Sequence, residues 1–399
     1  MAVVPLVHLI LLSTWNKTTK VRKTDANRGR VSIGEKTGTN VTNEKEKSNA
    51  NKPKLNVIIL THMSSGSTFL GNLFNLHPDV FYLYEPLNEL RIVVHGDRKD
   101  LGEWNVLDKK AEEAYRTDFF NLLRNIFTCN FQGDKTIDNL FPNWLRREKN
   151  YLAWTSTDTK LTEGSVRKAC KSRKITVTKI MQTQLPGEIG IRELQRVCSS
   201  EPDNFECLII HLVRDPRAVI SSLISHKFYM PNGPSRKLVT TKDTTLEGKE
   251  MIRHNSDILC SLVEDNLNYV NKEWSKWFSG RYILARYEDI ANDLFDTVFQ
   301  VYNFTGLHMV TSINNWIREG IRPPGVENRS PAFSISKSDV KRTEQWRFRL
   351  GTSQVAEFEQ GCRPLMYMIG YIPIDSDERL LHNTSKKLWT DKMPHPFPR

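Results

Sequence analysis

Residues 55–68 read Leu-Asn-Val-Ile-Ile-Leu-Thr-His-Met-Ser-Ser-Gly-Ser-Thr, an apolar run followed by small polar residues. The run Leu55–Leu60 predicts a strand that is buried on both faces of a parallel sheet. Apolar residues then recur at helical spacing from Phe69 to Leu76, so the polar segment joins a strand to the N-terminus of a helix. Backbone N–H groups and hydroxyls in that position bind phosphate-like anions. The alternative is an ordinary turn in which a serine caps the helix.

The polar segment lacks the lysine of a GxxxxGK[ST] nucleotide site, and no GxGxxG motif follows a predicted strand. These features disfavour a Walker-type ATPase and a dinucleotide dehydrogenase. The formal charge of +11 over 399 residues suits an anionic ligand, and the six cysteines form no CxxC pair of the kind that binds zinc. Since the sequence contains no zinc-finger or RNA-binding motif, we expect an acidic small molecule or a polyanionic glycan as partner, and no nucleic acid.

A second buried strand is predicted at Cys207–Val213, and charge appears abruptly after it in the segment Arg214–Arg217. In open α/β sheets, ligands bind at the carboxyl ends of the strands. Arg214 offers a guanidinium fork for a phosphate group, and Ser222, two turns into the next helix, is placed to reach the same group. The alternative is a surface loop that only starts a helix.

Together, the two segments resemble the 5′-phosphosulfate loop and the 3′-phosphate motif of sulfotransferases that use 3′-phosphoadenosine 5′-phosphosulfate (PAPS). The likeness is greatest to the carbohydrate 6-O-sulfotransferases that modify galactose, N-acetylglucosamine or N-acetylgalactosamine. It extends in the family's order from about Leu55 to Ile372, and its further matches are His77 to Pro86, Cys129-Asn130-Phe131, Arg286-Tyr287-Glu288-Asp289-Ile290, Trp346-Arg347 and Cys362-Arg363-Pro364-Leu365-Met366. The resemblance implies an α/β fold of the P-loop nucleotide-kinase-like type, with a mainly parallel central sheet flanked by helices.

The resemblance also implies a PAPS site that needs no metal. The residues expected to bind the 5′-phosphosulfate are Ser64, Ser65, Gly66, Ser67, Thr68 and Phe69, and those expected to bind the 3′-phosphate are Arg214 and Ser222. Family members usually have Arg or Lys immediately before the Ser-Gly pair, where this chain has Ser64. That cation normally stabilises charge that develops as sulfate departs. His62 and Lys179 are candidates to replace it, with a hydrogen-bonded histidine and a solvated lysine as the structural interpretations.

Sulfuryl transfer to a sugar hydroxyl needs a base, because the neutral alcohol is a poor nucleophile. Glu85 is the candidate, since it follows the apolar run Val80–Tyr84 and is expected at the sheet edge beside the loop. The aromatic residues before it would partly desolvate its carboxylate. A carboxylate that caps the turn at Pro86 is the alternative interpretation, and Glu89 is the alternative base. Because of Ser64, a glycan- or nucleotide-binding pseudoenzyme stays open as a rival function, beside a P-loop phosphotransferase.

Two further motifs carry charged and aromatic residues. The segment Arg286–Asp289 follows the strand-like run Tyr282–Ala285 and is expected to hold strands together or to build the rim of the site. Trp346, Arg347 and Arg349 have the character of a surface for sugars and anions. Packing in the C-terminal part and contact with the cofactor are the alternatives for this cluster.

The composition divides the chain into four segments. Residues 1–15 form a short apolar segment, interpreted as a truncated signal anchor, a signal-peptide core or a chance apolar N-terminus. Residues 16–54 are a flexible polar stem, 55–374 the catalytic domain and 375–399 a polar C-terminal tail. The resemblance implies a Golgi-lumenal location, as a single-pass type II membrane protein held in the Golgi membrane or in secreted form, and the sequence carries no signal for the oligomeric state.

Residues that would be modified in such a compartment are present. Asn-x-Ser/Thr motifs, which could be glycosylated there, occur at Asn16, Asn40, Asn303, Asn328 and Asn383. Cys198 and Cys207 are near enough in sequence to close a small loop as a disulfide, which would leave Cys129, Cys170, Cys260 and Cys362 for longer links.

Overall fold

Five parallel strands form one sheet at the centre of the protein. The computed structural model describes residues 54–90, 109–131, 163–187, 189–200, 205–225, 246–319 and 343–394. The strands are β1 (Leu55–Thr61), β2 (Val80–Tyr84), β3 (Ile175–Met181), β4 (Cys207–Val213) and β5 (Tyr282–Arg286). Their order in the sheet is β2-β3-β1-β4-β5. The predicted α/β fold with a mainly parallel sheet is therefore confirmed.

Helices cover both faces of this sheet. They are α1 (Ser67–Asn75), α2 (Pro86–Glu89), α3 (Lys109–Phe127), α4 (Glu163–Ser172), α5 (Gly190–Cys198), α6 (Pro216–Ser225), α7 (Leu246–Lys272), α8 (Tyr287–Asn292), α9 (Leu294–Thr305), α10 (Thr311–Glu319), α11 (Thr352–Met368) and α12 (Glu378–His382), with 3-10 turns at Gln182–Gln184 and Gln345–Phe348 and a π-helical turn at Trp274–Phe278. Not one of these described helices is both long and apolar enough to cross a membrane.

The position of the central strand β1 between two layers of helices explains its apolar run from Val57 to Leu60. Val57 and Ile59 join the core formed with α1 and α9, whereas Ile58 and Leu60 join the core formed with α3, α5 and α7. Successive side chains of a strand point to opposite faces, so a strand covered by helices on both sides needs apolar residues at every position. Leu60 of β1 pairs in register with β3 and with β4, which brings the carboxyl ends of the central strands to one edge.

Three disulfides connect elements around the sheet. The predicted pair Cys198–Cys207 is confirmed and closes the connection from α5 to β4. The other two, Cys129–Cys170 and Cys260–Cys362, have sequence separations of 41 and 102 residues. Because a cross-link restricts the unfolded chain, all three stabilise the fold.

The folded region extends past the predicted boundary at Ile374. Leu381 and Leu388 are fully buried in the core of the C-terminal part, and Tyr371 forms an antiparallel bridge with Trp389. These few apolar residues anchor a segment whose composition is otherwise polar, so residues 375–394 belong to the domain. The predicted apolar segment 1–15 and the predicted stem up to residue 53 lie outside the described residues.

Candidate active site

The polar segment after β1 forms a tight loop that leads into α1. The hydroxyl of Ser65 donates to the carbonyl of His62 at 2.7 Å and also bonds the Thr61 hydroxyl. Ser64 and Gly66 have positive φ angles of 61° and 85°. Gly66 is the N-cap of α1, and no side chain caps this helix. The backbone N–H groups at this helix N-terminus are therefore not capped by a serine, an arrangement that suits an anion.

The Ser65 hydroxyl differs from its predicted role. Ser65 is fully buried, and its hydroxyl bonds Thr61 at the end of β1 and the His62 carbonyl, so its backbone N–H is the group placed to reach an anion. Ser67 and Phe69 are also buried, whereas Thr68 is half-buried at the first turn of α1. The chemistry of this set, with backbone N–H groups and a hydroxyl at a helix N-terminus, fits a phosphate or sulfate group.

The structure brings the second predicted motif to this loop. Arg214 follows β4, and its Nη1 donates to the carbonyl of Ser64 at 2.6 Å. Its guanidinium carbon lies 4.4 Å from the centre of the Tyr287 ring. Ser222 lies half-buried on α6, the helix that begins two residues after Arg214. Arg214 and the loop, 150 residues apart in the chain, thus meet at the carboxyl ends of the parallel strands, where ligands bind in open α/β sheets.

Tyr287 also explains the glycine of the loop. A Cβ atom built on Gly66 would overlap the Tyr287 ring, and the φ angle of 85° is one that only glycine adopts readily. Tyr287 thus touches both the loop and Arg214. The sequence analysis placed this tyrosine in a segment expected to hold strands together or to build the rim of the site, but gave it no contact with the loop or with Arg214.

Glu85 lies where the sequence predicts, at the carboxyl end of β2. Its Oε1 is 2.6 Å from the Nζ of Lys179, and its backbone N–H donates to the Lys179 carbonyl at 3.1 Å. The parallel register of β2 and β3 pairs Tyr84 with Lys179, which places the lysine beside the next residue. No side chain caps α2, so the interpretation of Glu85 as a cap of the turn at Pro86 is wrong. The side chain of Glu89, the alternative base, lies outside the described residues.

The ion pair is connected to the loop through Tyr84. Lys179 Nζ lies 4.2 Å from the centre of the Tyr84 ring, and the Tyr84 hydroxyl lies near the side chains of Thr68 and Glu85. Lys179 is 3% exposed and Glu85 is 16% exposed, so the carboxylate is the more accessible member of the pair. A base candidate, a cation and the anion loop therefore form a single continuous cluster.

Only one of the two candidates for the missing cation is charged. Burial lowers the pKa of Lys179, but the Coulombic attraction of Glu85 and Tyr84 outweighs it and leaves the pKa raised, so the lysine keeps its proton. His62 is buried, and desolvation lowers its pKa to about 4. The histidine is therefore neutral at physiological pH and hydrogen-bonded to the Met63 carbonyl. The interpretation of Lys179 as a solvated surface lysine is wrong, because it is buried against Glu85.

A buried network lies behind Arg214. Glu288 accepts hydrogen bonds from the Asp215 backbone N–H at 3.2 Å and from the Tyr371 hydroxyl at 2.5 Å. Arg286 is buried and bonds Asp289 and two backbone carbonyls of the C-terminal part, so the motif has a structural role, but it joins β5 to the C-terminal part and not to another strand.

The neighbouring residue Arg217 is also structural. It is fully buried between Asp215 and Glu359, at 2.8 and 2.7 Å, and its guanidinium lies 4.4 Å from the Trp346 ring. The carboxylates therefore fix the first turn of α6 against α11. This arrangement holds the backbone that carries Arg214 in place.

The predicted sugar and anion surface at Trp346, Arg347 and Arg349 is wrong for its first two members. Trp346 is 3% exposed and packs on Arg217. Arg347 is fully buried and donates to four backbone carbonyls of residues 380–386 as well as to Glu344. Only Arg349 of the three is exposed. The packing alternative therefore holds, because free carbonyls around α12 need a buried donor.

The fold and the site define an α/β protein in which a loop at a helix N-terminus and Arg214 lie near the ion pair of a carboxylate and a lysine. The sulfotransferase domain family matches residues 54–370, and the chain belongs to this family. Carbohydrate sulfotransferase 1 of Danio rerio is 26% identical over 377 residues, with 86% of this chain and 84% of the relative covered. Carbohydrate sulfotransferase 6 of Homo sapiens is 25% identical over 354 residues, with 82% of each covered.

Among solved structures, the sulfotransferase domain of the Synechococcus PCC 7002 olefin synthase is similar to this chain. It is 16% identical with a TM-score of 0.40, and the match covers 78% of this chain and 96% of that domain.

Proposed function

We propose that this protein transfers the sulfuryl group of PAPS to a sugar hydroxyl, with the 6-hydroxyl of galactose, N-acetylglucosamine or N-acetylgalactosamine in glycosaminoglycans or glycoprotein glycans as acceptor. Membership of the sulfotransferase family supports the reaction class, and the similarity to carbohydrate sulfotransferases supports the acceptor class. The observation that carries the proposal is the ion pair of Glu85 and Lys179, joined through Tyr84 to the anion loop.

The donor is expected at the two anion motifs. The backbone of the loop from Ser64 to Phe69 and the Thr68 hydroxyl suit the 5′-phosphosulfate, and Arg214 with Ser222 suits the 3′-phosphate. PAPS supplies the sulfuryl group and a good leaving group, 3′,5′-ADP. The protein therefore has to position the reactants, accept a proton and stabilise negative charge.

Glu85 is proposed as the base and Lys179 as the cation that replaces the usual residue at position 64. The Glu85 carboxylate is accessible enough to take the proton of an acceptor hydroxyl. When it does, the ion pair loses its negative member, and Lys179 is left as a buried cation beside the loop. Such a charge, fixed in a site of low dielectric constant, stabilises negative charge that develops during transfer.

The test is transfer from sulfur-labelled PAPS to chondroitin, keratan and N-acetylglucosamine-terminated acceptors by the full chain and its variants. We expect Glu85→Gln to lower kcat by about 10²- to 10⁴-fold, the range of general acid–base catalysis, with the Kd for 3′,5′-ADP unchanged. Lys179→Met should also lower kcat, whereas the exposed control Glu378→Gln should keep full activity. Transfer by Glu85→Gln at the wild-type rate would exclude Glu85 as the base.

The same experiment separates the rival functions. A wild-type chain that binds 3′,5′-ADP without transfer, and gains activity in Ser64→Arg, would be a pseudoenzyme. A chain that binds ATP more tightly than PAPS would be a phosphotransferase.

We also propose a Golgi-lumenal location, as a type II membrane protein or in secreted form. Three disulfides support an oxidising compartment, because they rarely persist in the cytosol. Fluorescence microscopy of the tagged full chain beside a Golgi marker tests this location, and a diffuse cytosolic signal would contradict it.

A further inference from the structure

Two exposed phenylalanines stand out on the described surface. Phe348 is 65% exposed and Phe299 is 63% exposed, the highest fractions among the large hydrophobic side chains of the described residues. Tyr367 follows at 58%, and its hydroxyl accepts a hydrogen bond from Arg363. Single exposed hydrophobic residues are common and need no explanation by themselves. The position of these two beside particular asparagines is what distinguishes them.

Phe348 lies beside the acceptor motif Asn383-Thr384-Ser385. Its ring is 6.1 Å from that of His382, the residue before Asn383, measured between ring centres. The preceding residue, Arg347, is fully buried and donates from Nη2 to the Asn383 carbonyl at 2.9 Å. Buried Arg347, which precedes Phe348 and bonds Asn383, thus holds the phenylalanine and the asparagine near each other.

The Asn383 side chain is presented outward. All three residues of the motif are exposed, and the Asn383 Oδ1 accepts the Ser385 backbone N–H at 3.1 Å. This contact uses the amide oxygen and leaves the amide nitrogen toward solvent. The motif is therefore accessible in the folded protein.

Phe299 has the same relation to the motif Asn303-Phe304-Thr305. It lies four residues before Asn303 on α9, so the two side chains share one face of the helix. Phe295, 42% exposed, lies four residues earlier on the same face. Asn303 is exposed near the last turn of α9. Two acceptor motifs of the described part of the chain therefore each adjoin one of its two most exposed phenylalanines.

We propose that Asn303 and Asn383 carry N-linked glycans whose innermost sugars cover Phe299 and Phe348. In each modification, the asparagine Nδ2 forms a bond to the anomeric carbon of an oligosaccharide. The bond from that carbon to its lipid-diphosphate carrier breaks, the diphosphate leaves, and the amide loses one proton. The apolar face of the first N-acetylglucosamine removes the phenylalanine ring from water, which is favourable in proportion to the buried area.

The two sites differ in when they can be modified. Thr305 is 1% exposed and its hydroxyl donates to the Val301 carbonyl at 2.9 Å, so its motif is closed once α9 has formed. Asn303 is therefore modified during synthesis, before the helix packs. The exposed motif at Asn383 stays open in the folded chain and accepts a glycan at either stage.

Occupancy is tested on the full chain, made behind a cleavable secretion leader in mammalian cells that produce high-mannose glycans. Release with peptide-N-glycosidase in ¹⁸O-water marks each formerly modified asparagine as a labelled aspartate in peptide mass spectrometry. We expect the label at both positions, and Ser385→Ala should abolish it at Asn383. An unlabelled peptide overturns the assignment for that site.

Packing of the sugar on Phe348 is tested in the Asn303→Gln background, where Asn383 is the only one of the two sites left. Endoglycosidase H leaves one N-acetylglucosamine, whereas peptide-N-glycosidase removes it. We expect the melting temperature to stay unchanged after the first enzyme and to fall by about 1–3 °C after the second. Phe348→Ser should remove this difference, and Asn383→Asp controls for the residue that the enzyme creates. An equal fall of the melting temperature with and without Phe348 overturns the proposed packing. The same experiment in the Asn383→Gln background tests the packing of the sugar on Phe299.

Discussion

Replacing Glu288 by glutamine is expected to remove a pH dependence from the stability of the protein. Glu288 is 1% exposed, and burial together with the nearby Asp215 raises the pKa of its carboxyl from 4.5 to about 7, although Arg214 opposes the rise. Glutamine has the same shape as the glutamate it replaces. Its amide oxygen can still accept the Asp215 N–H, and its amide group can donate to the Tyr371 hydroxyl.

The sign of the effect follows from the direction of the pKa change. A carboxyl whose pKa is higher in the folded than in the unfolded chain binds more protons in the folded chain between the two values. The free energy of unfolding therefore falls as the pH rises from about 4.5 to about 7, and the stabilising contribution is fully present only below this range. An increase from 4.5 to about 7 corresponds to roughly 3 kcal/mol.

Urea unfolding at a series of pH values from about 4.5 to about 8 measures this contribution. The free energy of unfolding of the wild type minus that of Glu288→Gln should fall with pH by roughly 3 kcal/mol in total. The exposed control Glu378→Gln should show no such difference. If wild type and Glu288→Gln have parallel pH profiles, Glu288 titrates near its ordinary value and its proposed environment is incorrect.

Two further substitutions test the construction of the site. Gly66→Ala should weaken binding of 3′,5′-ADP by at least about tenfold in isothermal titration. The new Cβ collides with Tyr287, and the positive φ angle alone is unfavourable by about 1 kcal/mol. Unchanged affinity would contradict the loop geometry. Arg217→Met should lower the free energy of unfolding by about 3–5 kcal/mol, since it leaves the buried carboxylates of Asp215 and Glu359 without their cationic partner. Exposed Arg349→Met should change it by less than about 0.5 kcal/mol in the same urea experiment.

The strands could be predicted from the sequence because a buried strand consists mostly of apolar residues. A strand such as Leu55–Thr61, covered by helices on both faces, excludes polar residues from nearly every position. Charge reappears where β4 ends, at Arg214 after Val213. The position of the candidate anion site could therefore be predicted from the sequence, since parallel strands end at one edge of the sheet.

The partners of individual charged residues were less predictable, because they depend on contacts between distant segments. Arg347 looks like a surface cation in the sequence, but backbone carbonyls of residues 380–386 surround it. No feature of the sequence near Arg347 predicts that these carbonyls surround it. The same holds for residues 375–394, where Leu381 and Leu388 are enough to attach a polar segment to the core.

The proposed replacement of the loop cation by Lys179 depends on the register of β2 and β3. The register that pairs Tyr84 with Lys179 places the ammonium beside Glu85, and a slip by one residue would turn the lysine to the other face of the sheet. Position 64 makes a different contact: the Ser64 carbonyl accepts a hydrogen bond from Arg214. An arginine introduced there would bring a second guanidinium close to the first. We therefore expect Ser64→Arg to raise kcat little or not at all, whereas a large gain would mean that Lys179 does not replace the missing cation.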